Sequence, residues 1–204
     1  MWVELADNIF QTGVLAITAL CAMLFALRTG VRSFWILTFA YASFALGTLY
    51  YVLHLALVGY VPQVFYVSEV SWLAAHLFFF SRELLYTEGN RVGFSPIPAL
   101  CGVLVAATAV VVGVFGPSPL VKGAFAIVAG GDVYLALWRL RAKVGGRVSA
   151  ICQLCIPVLQ VALFVVSGFT EDYSHFGLYY IVDILLSADL VALLPVTCLE
   201  GRRP

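Results

Sequence analysis

Charge is what this sequence has least of. Asp, Glu, Lys and Arg make up 11% of its 204 residues, where a typical soluble domain carries about 25%. A surface this poor in charge cannot be wetted all round, so a water-soluble globule is excluded and most of the outside must face lipid. The 11 acidic and 11 basic residues cancel, leaving no global field to attract nucleic acid or an acidic partner. A basic stretch at the start is also missing. Met1-Trp2-Val3-Glu4-Leu5-Ala6-Asp7 lacks the positive n-region of a cleaved signal peptide, so the first apolar run reads as a retained helix. No low-complexity tract or extended linker breaks the chain, and a single domain over residues 1–204 is expected.

Other absences remove whole chemistries. Strict alternation of apolar and polar residues does not occur, which excludes a transmembrane barrel. The last apolar segment has no lysine, so it cannot carry a retinal Schiff base. The three histidines, His54, His76 and His175, fall at different depths and cannot converge as the ligands of a seven-helix zinc hydrolase do. The pair Cys152-Gln153-Leu154-Cys155 has no histidine or further cysteine close in sequence, so these thiols read as small packing residues. No cofactor or metal is expected.

What is present is long apolar runs. About 20 apolar residues span the hydrocarbon core as a helix, and segments meeting that test run roughly over 8–27, 33–58, 64–86, 96–115, 119–140, 148–169 and 176–199. The fold class expected is therefore all-α, a polytopic membrane protein of seven transmembrane helices. Gly116-Pro117-Ser118-Pro119 separates the fourth from the fifth as a turn.

Basic residues in short connections set orientation. Arg28, Arg32, Arg82, Arg91, Arg139, Arg141, Lys143, Arg147, Arg202 and Arg203 all fall on one side if there are seven spans. Glu4, Asp7, Glu171 and Asp172 fall on the other, with Lys122 the one exception. The expectation is N-out and C-in. Tyr50, Tyr51, Tyr60, Phe65, Tyr66, Tyr173, Phe176, Tyr179 and Tyr180 form the outer aromatic belt, and Trp35, Tyr86, Phe94 and Trp138 the inner one. All five cysteines then lie in cytoplasmic halves, which argues against a disulfide framework. The location expected is a bacterial cytoplasmic (inner) membrane.

Within the spans remain His54, Glu69, His76, Asp132, Asp183 and Asp189. A carboxylate near the bilayer centre costs about 2.5–3.5 kcal/mol on insertion scales, so it should face the bundle interior or a wet cavity. Depth counted at about 1.5 Å per residue puts Glu69 and Asp183 in the outer half and His76, Asp132 and Asp189 near the midplane. Glu69, Trp72 and His76 share one face of the third helix, as do Asp183 and Ser187 of the seventh. Asp189 points about 120° away from Asp183, towards a neighbouring helix. Gln160, three residues after Pro157, can reach the same interior. Gly130-Gly131 before Asp132 allows either close helix packing or local unwinding.

Such groups either hold helices together by hydrogen bonds or line a polar cavity. Their matched depths on alternate helices favour the cavity, placed among the third, fifth and seventh helices. The function expected is binding of a small polar solute, cation or proton, transporter-like or sensor-like, at Glu69, Trp72, His76, Asp132, Gln160, Asp183 and Asp189. Two alternatives stand beside it. One is an intramembrane lipid-modifying enzyme using His76 and the carboxylates as acid and base; the other is a structural or accessory subunit. The partners expected are the lipid bilayer, the solute or cation, and a homo-oligomer or membrane partner, since a sensor with minimal loops has no output domain of its own.

Overall fold

A computed structural model describes residues 2–59, 66–113, 119–170, 172–173 and 175–200. Tyr60, Phe65, Glu171, Arg202, Arg203 and the turn at 116–118 lie outside the described residues, as does the side chain of Tyr66. Seven helices account for nearly all of the rest: α1 (Trp2–Thr29), α2 (Arg32–Val58), α3 (Tyr66–Thr87), α4 (Pro96–Gly113), α5 (Pro119–Ala142), α6 (Arg147–Phe169) and α7 (Leu178–Glu200). The all-helical reading holds, and most ends fall within two residues of the expected ones. The largest difference is α1, which begins several residues earlier because Glu4 and Asn8 are buried against its neighbours.

Five helices, α1, α2, α5, α6 and α7, are long and apolar enough to cross a membrane. α3 is long enough but carries Glu69, His76, Arg82 and Glu83. α4 is apolar throughout but shorter. Large apolar side chains cover the outward faces, among them Ile17 and Leu20 on α1, Leu46 and Leu57 on α2, and Leu100 and Val103 on α4. In water these would be a severe liability; against lipid they are the expected surface.

Short connections make successive helices antiparallel. The end at which α1, α3, α5 and α7 begin is called the top, and the other the base. Gly59 closes α2 at the top with φ +84°, its N–H donating to Leu55 O at 3.1 Å. A residue with a Cβ is strained in that left-handed region.

One core joins α1, α2, α3, α6 and α7 around Leu15, Leu37, Tyr41, Phe79, Ile156 and Leu190. A second joins α4, α5 and α6 around Ala109, Phe125, Ala129 and Val161. α4 meets α5 backbone to backbone: a Cβ on Gly102 would lie 2.5 Å from Gly130 O, and one on Gly130 would lie 2.7 Å from Gly102 O. The Gly130-Gly131 pair therefore serves close packing, with Gly131 against Phe80, and α5 runs through it without a break.

Candidate functional site

The α2–α3 crossing builds the first wall of the site. Gly47 lets α3 approach so closely that a Cβ there would meet the Trp72 ring at 2.9 Å, and Ser68 Oγ donates to Gly47 O at 2.8 Å. This fixes the face of α3 that carries Glu69, Trp72 and His76. All three line a cavity of about 320 Å³ that opens from the top half of the bundle. Its other walls come from α1, α2, α5, α6 and α7, through Gln11, Phe44, Lys122, Gln160 and Asp183 among others. The cavity is thus enclosed by six helices rather than the three expected, and it joins Glu69 to His76.

The floor is polar and unsatisfied. His76 is 1% exposed, and Phe125 meets its ring edge-on at 4.8 Å between centroids, with Phe79 at 6.1 Å. Among the described residues no side chain makes a well-formed hydrogen bond to either ring nitrogen; the Gln160 amide stands beside the ring, close enough to interact with it, and its Oε1 has no other partner. Buried polar atoms are nearly always bonded, so each exception calls for an explanation such as a bound molecule.

Higher up, the polar groups are tied together. Gln11 Nε2 donates to Asp183 Oδ1 at 2.8 Å and to Ser187 Oγ at 3.0 Å, while Gln11 Oε1 accepts from Thr48 at 3.1 Å. The Asp7 and Asp183 carboxyl groups face each other. Lys122 pairs with Glu69 at 3.9 Å, which gives the exceptional lysine a place inside the site. Tyr51 donates to the buried Glu4. Between α6 and α7, Tyr173 donates to Ser167 O at 3.1 Å. Burial and the neighbouring Glu4 charge raise the Tyr173 phenol above its usual range, so it remains a donor.

A second polar centre lies at the base. Glu83 bonds Arg139 at 2.5 Å and Arg82 at 3.4 Å, with all three side chains fully buried. Arg82 also donates to Gln153 Oε1 at 3.1 Å and to Thr197 Oγ1 at 2.8 Å. Gln153 Nε2 in turn donates to Asp132 at 2.9 and 3.1 Å. Tyr86 stacks under both guanidiniums, 4.7 Å from Arg82 and 4.2 Å from Arg139. The network is an inter-helix clasp linking α3, α5, α6 and α7, with Glu83 between the two guanidiniums.

The expected site residues thus divide. Glu69, Trp72, His76, Gln160 and Asp183 are brought together around the cavity. Asp132 belongs to the basal clasp, and Asp189 lies beside Cys152 of α6. Reasoning from sequence missed Glu4, Asn8 and Gln11, which lie on one face of α1 at i, i+4, i+7 spacing. That spacing was a readable signal. Sequence reasoning also counted Arg82 and Arg139 among the basic residues of the short connections; both lie within helices and are buried, held by Glu83. Among the described residues no three His, Cys, Asp or Glu side chains converge to hold a metal ion. No protein-family profile matches the chain, and comparison with curated proteins and with solved structures finds no match.

Proposed function

We propose that this chain is a seven-span membrane protein, N-out and C-in, that takes a small polar or cationic solute into the top cavity from outside. Orientation is supported by the exposed Arg28, Arg32, Arg91, Arg141, Lys143 and Arg147, all at the base. Counting α3 and α4 as spans is supported by their packing within the bundle: α3 turns its polar residues inward, and α4 lies flush on α5.

Binding rests on one observation above the rest: at the floor of an open cavity the buried His76 nitrogens and Gln160 Oε1 have, among the described residues, no polar partner beyond each other. A volume near 320 Å³ is at the small end of ligand sites, which span about 300–1,000 Å³. That suits a metabolite-sized solute. The clasp at the base closes the opposite end, as a transporter in an outward-open state or a sensor requires. Acid–base catalysis is less well supported, because among the described residues no carboxylate bonds His76 to orient and activate it.

The test is a thermal-stability screen of the purified chain against small polar solutes, run in parallel on Gln160→Leu and His76→Phe. At least one solute class is expected to stabilise the wild type and to lose its effect in both variants. Equal stabilisation in all three proteins, or none in any, would overturn the proposal.

A further inference from the structure

We infer that the occupant of the top cavity is a small organic ammonium that also carries a hydrogen-bonding group. This rests on the binding reading above and adds the chemical class. Three features of the cavity converge on it, and each removes competing classes.

Charge comes first. The lining contains the carboxyl groups of Glu4, Glu69 and Asp183 against the single ammonium of Lys122. Asp7 faces Asp183, and the two carboxyl groups share a proton, so the pair together adds one negative charge. An anionic solute entering this site would meet a surplus of like charge at close range, which costs more as water is excluded. A phosphate or carboxylate ligand is therefore disfavoured. A carboxylate offers about four lone-pair sites, so Asp183 can accept from Gln11 and still take a further donor.

The walls come second. Trp72, Phe44, Phe125, Phe164 and Tyr179 present rings to the same space, with Phe125 and Phe164 edge-on at 5.3 Å and Phe44 and Trp72 tilted at 6.3 Å. A bare inorganic cation wants six or more oxygen ligands in a hydrated shell, and these walls supply carbon. Alkylated ammonium groups are the cations that aromatic surfaces stabilise, by the ring quadrupole and by covering their carbon. Acids and rings in one cavity select a cation with an organic body.

The floor is third. His76 lies seven residues below Glu69 on the same face, about 10 Å along the axis. With neutral imidazole offering one donor and one acceptor, and Gln160 Oε1 a further acceptor, the floor fits a hydroxyl or second amine. The ligand is then a chain with its charge at the level of Asp183 and Glu69 and a polar tail at His76. Lys122 already shows the upper half of this arrangement, an ammonium 3.9 Å from Glu69.

The experiment uses three probes of the same length that differ in the charge of one end: 5-aminopentan-1-ol, pentane-1,5-diol and 5-hydroxypentanoate. Binding to the full chain in detergent is followed by calorimetry and by thermal stabilisation. The amine is expected to bind at least about tenfold more tightly than the diol, a factor worth about 1.4 kcal/mol, with the carboxylate weakest. Asp183→Asn should shrink that preference, weakening amine binding more than diol binding. Glu69→Gln serves if the first variant does not elute as a folded species. A diol that binds as well as the amine overturns the ammonium class while leaving solute binding intact, and a carboxylate that binds best does the same. If no probe binds, the inference falls, and the solute screen decides the broader reading separately.

Discussion

Glu83→Gln should unfold the base of the bundle out of proportion to the size of the change. The carboxylate sits between two guanidiniums, 2.5 Å from Arg139 and 3.4 Å from Arg82, with no exposure of any of the three. Amidation keeps the shape and removes the charge, so Arg82 and Arg139 face each other with no carboxylate bonded to either. Breaking a buried pair by removing one partner costs about 3–5 kcal/mol, because the other charge stays buried. For a chain of this length that is a fall in melting temperature of about 6–20 °C. The assay is thermal unfolding of the purified chain in detergent, followed by circular dichroism. The double variant Glu83→Gln with Arg139→Gln removes one of the two facing cations and should recover part of the loss, since each unpaired buried ion is costly. A single variant that melts with the wild type, or a double variant worse than the sum of its parts, would refute the clasp.

Gly102→Ala should destabilise by about 1–3 kcal/mol as overpacking does, because its methyl would press on the rigid Gly130 carbonyl at 2.5 Å. Gly13→Ala, which meets open space, is the matched control in the same unfolding assay. Gln11→Leu should cost about 1–3 kcal/mol by stripping partners from Asp183, Ser187 and Thr48, measured the same way, and should weaken solute binding as well. Seven spans predict that a fluorescent protein fused to the carboxy terminus folds in the cytoplasm, while alkaline phosphatase fused at Gly59 is active outside; the reverse pattern would invert the orientation.

Helix number and approximate ends were legible because hydropathy and the length needed to cross a bilayer act on single segments. So was the inward face of α3, since Glu69, Trp72 and His76 are fixed relative to one another by helical pitch alone. Which partner each face meets was not legible. Asp132 and His76 count to similar depths, yet Asp132 turns to Gln153 and His76 to the cavity, because depth carries no information about rotation round the helix axis. Arg82 and Arg139 looked like loop charges for a related reason. Their compensation comes from Glu83, and the pairing of α3 with α5 that brings it to Arg139 exists only in the folded bundle. The cavity's α1 wall was hidden by chemistry instead: Asn8 and Gln11 carry no charge and drew no notice beside the acids.

The central claim is that a solute can reach the floor of the cavity between His76 and Gln160. It is tested most directly by placing a thiol there. In a chain whose five native cysteines have been replaced, Gln160→Cys is exposed to small methanethiosulfonate reagents added from the outside. The account predicts rapid modification, faster for the aminoethyl reagent than for the sulfonatoethyl one, and far faster than at Ala129→Cys in the packed core. Modification of Gln160→Cys no faster than that of the core variant would contradict it.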